Sequence, residues 1–330
     1  MNSLNITKES IIYIVAPANF ATGGPELLHQ LAHRLNQLSF KVFMFYTPHN
    51  IKNPIHDNYK EYNIAFIRSI KDDKNNILIV PETRVNILLE YKNIQKVVWW
   101  LSVDNYFLSR PKPYGFINRI MLNKFNSQRY IGFSSFLQLV DCHLVQSEYA
   151  EKMLLSKNIN NIKYLSDFLH KTFISNIVDI NNKENIVVYN PKKGIKFTQK
   201  IIKSSQNIRF IPIENMSRED VVNLLKKAKV YIDFGFHPGK DRIPREAAIL
   251  KACIITNKKG SAKYYKDVPI KDDYKFDESN KNIKFILDKI TDCFVNYDIN
   301  IKQFQNYYDE IVLQEDNFNN EIKHIFKLQD

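Results

Sequence analysis

Short apolar runs separated by amphipathic stretches narrow the folds open to this chain more than any other feature. Residues 11–16, 41–46, 77–80, 96–101 and 141–145 form one such series. Strands buried on both faces read as continuous apolar runs, and parallel strands need crossovers long enough for a helix. The series therefore predicts an α/β unit with a parallel sheet. After an Asn- and Asp-rich stretch at 179–185, a second series at 186–190, 208–213, 229–234 and 252–256 predicts another. Between its strands, Ser217 and Asp220 read as a capping box ahead of Val221, Val222, Leu224, Leu225 and Ala228, an apolar face that packs on a core. From Ser279 onward the periodicity is helical. The expectation is two Rossmann-like domains, 1–180 and 181–330, facing across a cleft at the carboxyl ends of their strands, with C-terminal helices of which the last packs back on the first domain.

A length of 330 residues agrees with two domains of about 150. With 44% hydrophobic residues the chain can fill cores, and no apolar run approaches the roughly 20 residues that cross a bilayer. The first apolar run is too short for a signal peptide and lacks its cleavage site. Cys142, Cys253 and Cys293 are too widely spaced for a disulfide framework or a zinc site. These features predict a cytoplasmic protein. The net charge of +12 favours an anionic partner: a nucleotide, an acidic membrane surface or nucleic acid. Lysine and asparagine are spread along the chain, as a compositional bias of the source genome would also produce. Aromatic residues lie in apolar runs instead of alternating with basic ones, which argues against nucleic acid.

The segment 228–260 reads as strand, polar turn, short helix and strand. Gly235 and Gly239 let the turn pass close to a ligand, and Lys240 and Arg242 add cations. Pro244 suits a helix's first position, which places Glu246 in the first turn, where a carboxylate can accept from ribose hydroxyls. The second unit opens with YNPKKG, putting Lys192 and Lys193 on the loop after a strand and Gly194 before a helix. Lysine there serves a phosphate as a point charge, or makes an ordinary solvated turn. The first unit offers Gly23 and Gly24 at a helix start, a weak anion signal that also fits a plain turn. Asp104 and Asn105 follow the strand VVWWL; Asp104 reads as a base, an acceptor-orienting group or a loop cap. His237 reads as a phosphate or sugar contact or as a buried structural histidine. Residues 115–133 place Phe116, Ile120, Met121 and Phe125 near Arg119, Lys124 and Arg129, as an interfacial basic helix or a packed one would.

Through ATGGPELLHQLAHRL, KVVWWLSVDNYF, YNPKKG and above all DFGFHPGKDRIPREAAILKACIIT, the sequence resembles nucleotide-sugar glycosyltransferases of the GT-B fold, within them bacterial enzymes of surface-polysaccharide assembly such as capsule and lipopolysaccharide. Many retaining members carry two glutamates separated by seven residues. Glu246 matches the second, which holds the donor ribose, and Pro238 stands where the first would be. The resemblance implies that Gly239, Lys240 and Asp241 take over contacts near the transferred sugar, and that Lys193 or Lys192 offsets the diphosphate charge. It implies a nucleotide diphosphate sugar donor, a glycan or lipid-linked acceptor, and a place in the cytoplasm at or near the inner face of the membrane. No Asp-Xaa-Asp pair of the metal-dependent kind stands at the site, so the expectation is transfer without a metal or other cofactor. The rival readings are a sugar-nucleotide epimerase or hydrolase of the same fold, and a basic nucleic-acid-binding protein.

Overall fold

The computed structural model describes residues 4–108 and 137–328. The chain divides into two compact units, one of Met1–Asp167 with Phe318–Asp330, the other of Phe168–Asn317. The segment 115–133, read above as interfacial or packed, lies outside the described residues.

The first unit carries a seven-stranded sheet: β1 (Ile11–Pro17), β2 (Lys41–Thr47), β3 (Phe66–Ile67), β4 (Ile77–Pro81), β5 (Gln95–Trp100), β6 (Cys142–Val145) and β7 (Ile162–Tyr164). Its order is β3-β2-β1-β4-β5-β6-β7, and every pairing is parallel. Ile12, Ile14, Val15, Val80, Val97, Val98, Trp99 and Trp100 are fully buried, as strands covered on both faces must be. Helices α1 (Gly23–Gln37), α2 (Val103–Leu108) and α3 (Glu148–Leu155) belong to this unit. Ser147 caps α3, accepting from the Ala150 amide.

The second unit carries β8 (Glu184–Tyr189), β9 (Arg209–Pro212), β10 (Ala228–Asp233) and β11 (Cys253–Thr256), parallel and ordered β11-β10-β8-β9. Helix α4 (Lys171–Ile174) precedes them, and α5 (Ile195–Ser204), α6 (Arg218–Lys227) and α7 (Arg242–Ile249) follow individual strands. Ser217 and Asp220 form the expected capping box at the start of α6. Helices α8 (Ile283–Val295), α9 (Tyr297–Lys302) and α10 (Gln305–Val312) complete the unit, and α11 (Gln314–Ile325) ends the described fold.

The unit boundary lies at 167/168, ahead of the Asn-rich stretch. Leu169 and Phe173 are buried in the second core, which draws the segment before residue 180 into that unit. Residues from Phe318 belong to the first unit: the Phe318 ring stacks on Trp99 at 6.5 Å, and Glu321 accepts from the Ser166 amide and hydroxyl at 2.6 and 2.7 Å. All three cysteines are buried and free. Among the described residues no helix is long and apolar enough to cross a membrane.

Candidate active site

In the second sheet the chain leaves β8 toward β9 on one side and returns to β10 on the other, so the loops after β8 and β10 lie side by side. Ligands of open parallel sheets bind at such a reversal point. Here the two loops touch through backbone. A Cβ on Gly194, which has φ +57° and caps α5, would lie 2.0 Å from the Phe234 carbonyl oxygen. One on Gly235 would lie 2.3 Å from Lys193 Cβ. Both positions exclude a side chain. A third loop closes from below: the Ser261 amide donates to the His237 carbonyl at 2.8 Å and its hydroxyl to that of Gly239 at 2.6 Å. Beside Gly194 an open cavity of about 420 Å³ is walled by Ile195, Lys196, Phe197, Lys200, Phe236 and Glu278, with the Phe236 ring largely exposed.

Charges join the two loops. Lys193 Nζ donates to Asp241 Oδ2 at 2.7 Å, and His237 Nδ1 lies 3.0 Å from the same oxygen, though its N–H is not aimed squarely at it. His237 Nε2 lies 3.4 Å from the Asp233 backbone oxygen and 3.9 Å from Oδ1 of that residue. Tyr231 donates its hydroxyl to Asp233 Oδ2 at 3.0 Å, and the Gly235 amide donates to Oδ1. Burial alone would lower the His237 imidazole, but Asp241 and Asp233 beside it raise it above its ordinary value. Asp241 is penalised by burial, yet His237 and Lys193 hold it below the usual carboxylate range. Asp233, buried beside it, is pushed upward by burial despite His237. Asp233, His237 and Asp241 bring donor atoms within 4.8 Å of one another, a spacing a divalent ion can bridge; the cation standing on Asp241 is the Lys193 ammonium.

Arg245, missed in the sequence reading, holds the loop from behind. It is fully buried, donating from Nε to the Asp241 carbonyl at 3.2 Å, from Nη2 to that of Lys240 at 3.0 Å, and from Nη1 to Gln314 Oε1 at 2.9 Å. Nothing in the string PREAA distinguishes a buried arginine from a solvated one. Helix α7 begins at Arg242, two residues before the expected start, with Asp241 as its N-cap residue. Pro244 is thus the third helical residue, where its missing N–H still costs no intrahelical bond. Glu246 falls in the second turn, half-buried, and not in the first. Lys240 and Arg242 are half-buried beside the loop's tip. Lys192 is exposed, with its amide donating to Asn190 Oδ1 at 3.0 Å.

The first unit is built on the same plan. Its sheet reverses between β1 and β4, with Gly23 and Gly24 opening α1 after β1 and Glu82 following β4. A Cβ on Gly24 would meet Leu101 Cδ1 at 3.6 Å, an ordinary contact. Glu82, a second residue the sequence reading missed, is buried and accepts from the Leu101 amide at 3.0 Å. Burial pushes its carboxyl up to about 7, against the opposing amides of Leu101, Glu82 and Ser102. It thereby holds the segment leading into α2, where Asp104 accepts a 2.8 Å bond from the Tyr149 hydroxyl. Trp99 and Trp100 are fully buried core residues.

No family model matches the sequence, and no curated protein matches it. Solved structures do match. A sucrose-phosphate synthase from Thermosynechococcus elongatus aligns with a TM-score of 0.67 at 12% identity, covering 97% of this chain and 98% of that one. The fold is that of GT-B glycosyltransferases. The Anabaena HepE protein in complex with UDP aligns with a TM-score of 0.63 at 9% identity, covering 96% and 98% of the two chains. The lipopolysaccharide outer core galactosyltransferase WaaB aligns with a TM-score of 0.55 at 14% identity, covering 96% and 99%.

Proposed function

We propose that the protein is a glycosyltransferase that moves a sugar from a nucleotide diphosphate donor to a glycan or lipid-linked acceptor in bacterial surface-polysaccharide assembly, with retention and without a metal. The observation that carries this reading is the Lys193–Asp241 contact, which joins the loops after β8 and β10 at the reversal point of the second sheet. Support comes from the fold, from the UDP held by HepE and from the lipopolysaccharide sugar transfer named for WaaB.

In this reaction the bond from the anomeric carbon to the diphosphate breaks, the acceptor oxygen bonds that carbon, and the acceptor proton leaves to the departing phosphate. The main barrier is charge developing on the diphosphate, which fixed cations and amide groups stabilise best. Lys193, Lys240 and Arg242 supply the cations, assisted by Lys192; Gly194, Gly239 and the start of α5 bring amides close; and Glu246 accepts from the ribose hydroxyls. His237 and Asp241 set Lys193. Gly23 and Gly24 bring further amides to the donor, and Asp104 serves the acceptor side. A peripheral contact with the anionic inner membrane surface suits a lipid-linked acceptor.

Thin-layer or mass-spectrometric product analysis with UDP, GDP, CMP and TDP sugars, with and without acceptor extract, tests the proposal. It predicts sugar transfer that depends on acceptor and survives EDTA. Acceptor-independent conversion of the donor would indicate an epimerase or hydrolase instead. Tight, salt-dependent binding of mixed-sequence DNA with no sugar transfer would favour the nucleic-acid reading.

A further inference from the structure

Lys193 meets Asp241, behind which His237 and Asp233 are both buried. Side-chain exposure falls from 29% at Lys193 to 15% at Asp241 and 0% at His237. One oxygen, Asp241 Oδ2, lies 2.7 Å from Lys193 Nζ and 3.0 Å from His237 Nδ1. That oxygen is turned to the protein's own side chains, whereas the part assigned to Asp241 from the sequence was a contact near the transferred sugar. Its backbone is fixed as well, since its carbonyl accepts from Arg245 Nε at 3.2 Å.

We infer that Asp241 is a positioning residue: it holds the Lys193 ammonium at the end of its loop, and His237, flanked by the carboxylates of Asp241 and Asp233, braces Asp241 from behind. The inference rests on the nucleotide reading of the site, in which Lys193 meets the diphosphate. A lysine on a surface loop samples many rotamers, and an exposed ion pair does little to restrict them. Here the acid partner is itself anchored in the interior. The Lys193 stem also runs against Gly235, where a Cβ would lie 2.3 Å from Lys193 Cβ and 3.2 Å from its Cδ. The cation is thus oriented before a ligand arrives, which lowers the ordering cost of binding. The charged and titratable groups facing His237 are Asp233, Asp241 and Lys193, with Tyr231 donating to Asp233.

A double-mutant cycle tests this, with UDP, GDP and dTDP titrated calorimetrically into wild type, Lys193→Ala, Asp241→Asn and the double variant. Acting through Lys193, Asp241→Asn lowers affinity by about tenfold and adds little once Lys193 is gone. Losses that simply add overturn the inference while leaving the nucleotide site standing. A wild type that binds none of the three overturns the site and the inference together. The ¹⁵N resonances of His237 give a second readout that a role in folding alone would not move. Its titration midpoint lies above the ordinary value of about 6.5 in wild type, falls in Asp241→Asn and recovers in Asp241→Glu. A wild-type midpoint at or below the ordinary value overturns the brace. So does a stoichiometric divalent ion lost in Asp241→Asn, because the cation on Asp241 would then be the metal.

Discussion

At the scale of single residues, the site depends on atoms that are absent as much as on those present. Gly235 has no side chain where one would strike Lys193 Cβ, a part of the chain that cannot swing aside as an ammonium can. Gly235→Ala is therefore expected to cost about 1–3 kcal/mol of stability through overpacking, read by urea denaturation, and to lower nucleoside diphosphate affinity as well. Glu246→Ala should weaken nucleotide binding with little change in melting temperature, and unchanged affinity in the folded variant would remove Glu246 from the ribose site. Glu82 gives a pH signature. Its carboxyl has an ordinary value of 4.5 and titrates near 7 when folded. Between those values the unfolded chain has released the proton and the folded chain keeps it, so stability falls as pH rises and levels off above about 7. Relative to Glu82→Gln, wild type should lose at most about 3 kcal/mol across that window. Chemical denaturation at pH 4.5, 6 and 8 checks it, and parallel curves for the two proteins would contradict it.

At the scale of elements, the long buried strands were legible because both their faces are apolar: β1, β4, β5 and β10 stand where the runs predicted. Strands β3 and β7, only two and three residues long and half-buried, carry no comparable run. The start of α7 was misread because Pro244 fits the first and the third helical position equally well. The basic loops were legible as loops with lysines; their mutual contact was not, since 48 positions separate Lys193 from Asp241. Arg245 and Glu82 were invisible for a related reason, because a charged residue in a sequence shows nothing of its burial. Lys183 is another such case. Its Nζ donates to the Leu225, Ala228 and Leu250 carbonyls at 2.9, 2.8 and 2.6 Å, binding the ends of α6 and α7 to the start of β8. Lys183→Met should cost about 2 kcal/mol or more, because three buried carbonyls lose their donor together. A change below about 0.5 kcal/mol would show that water replaces the lysine amine there.

At the scale of the whole molecule, two parallel sheets, each reversing direction once, place loops at their carboxyl ends. In the second unit those loops carry the cations; in the first they carry Gly23, Gly24, Glu82 and the segment leading to Asp104. The residues from Phe318 return to the first unit through the Phe318 ring on Trp99 and the Glu321 carboxylate on Ser166. The claim on which the account turns is that the loops after β8 and β10 grip a diphosphate. Isothermal titration of nucleoside diphosphates into wild type and Lys193→Ala tests it most directly. Saturable one-to-one binding is expected in wild type, weakened about 10- to 100-fold in a variant that melts at the wild-type temperature. Equal affinity in the two proteins, or none in wild type, would contradict it.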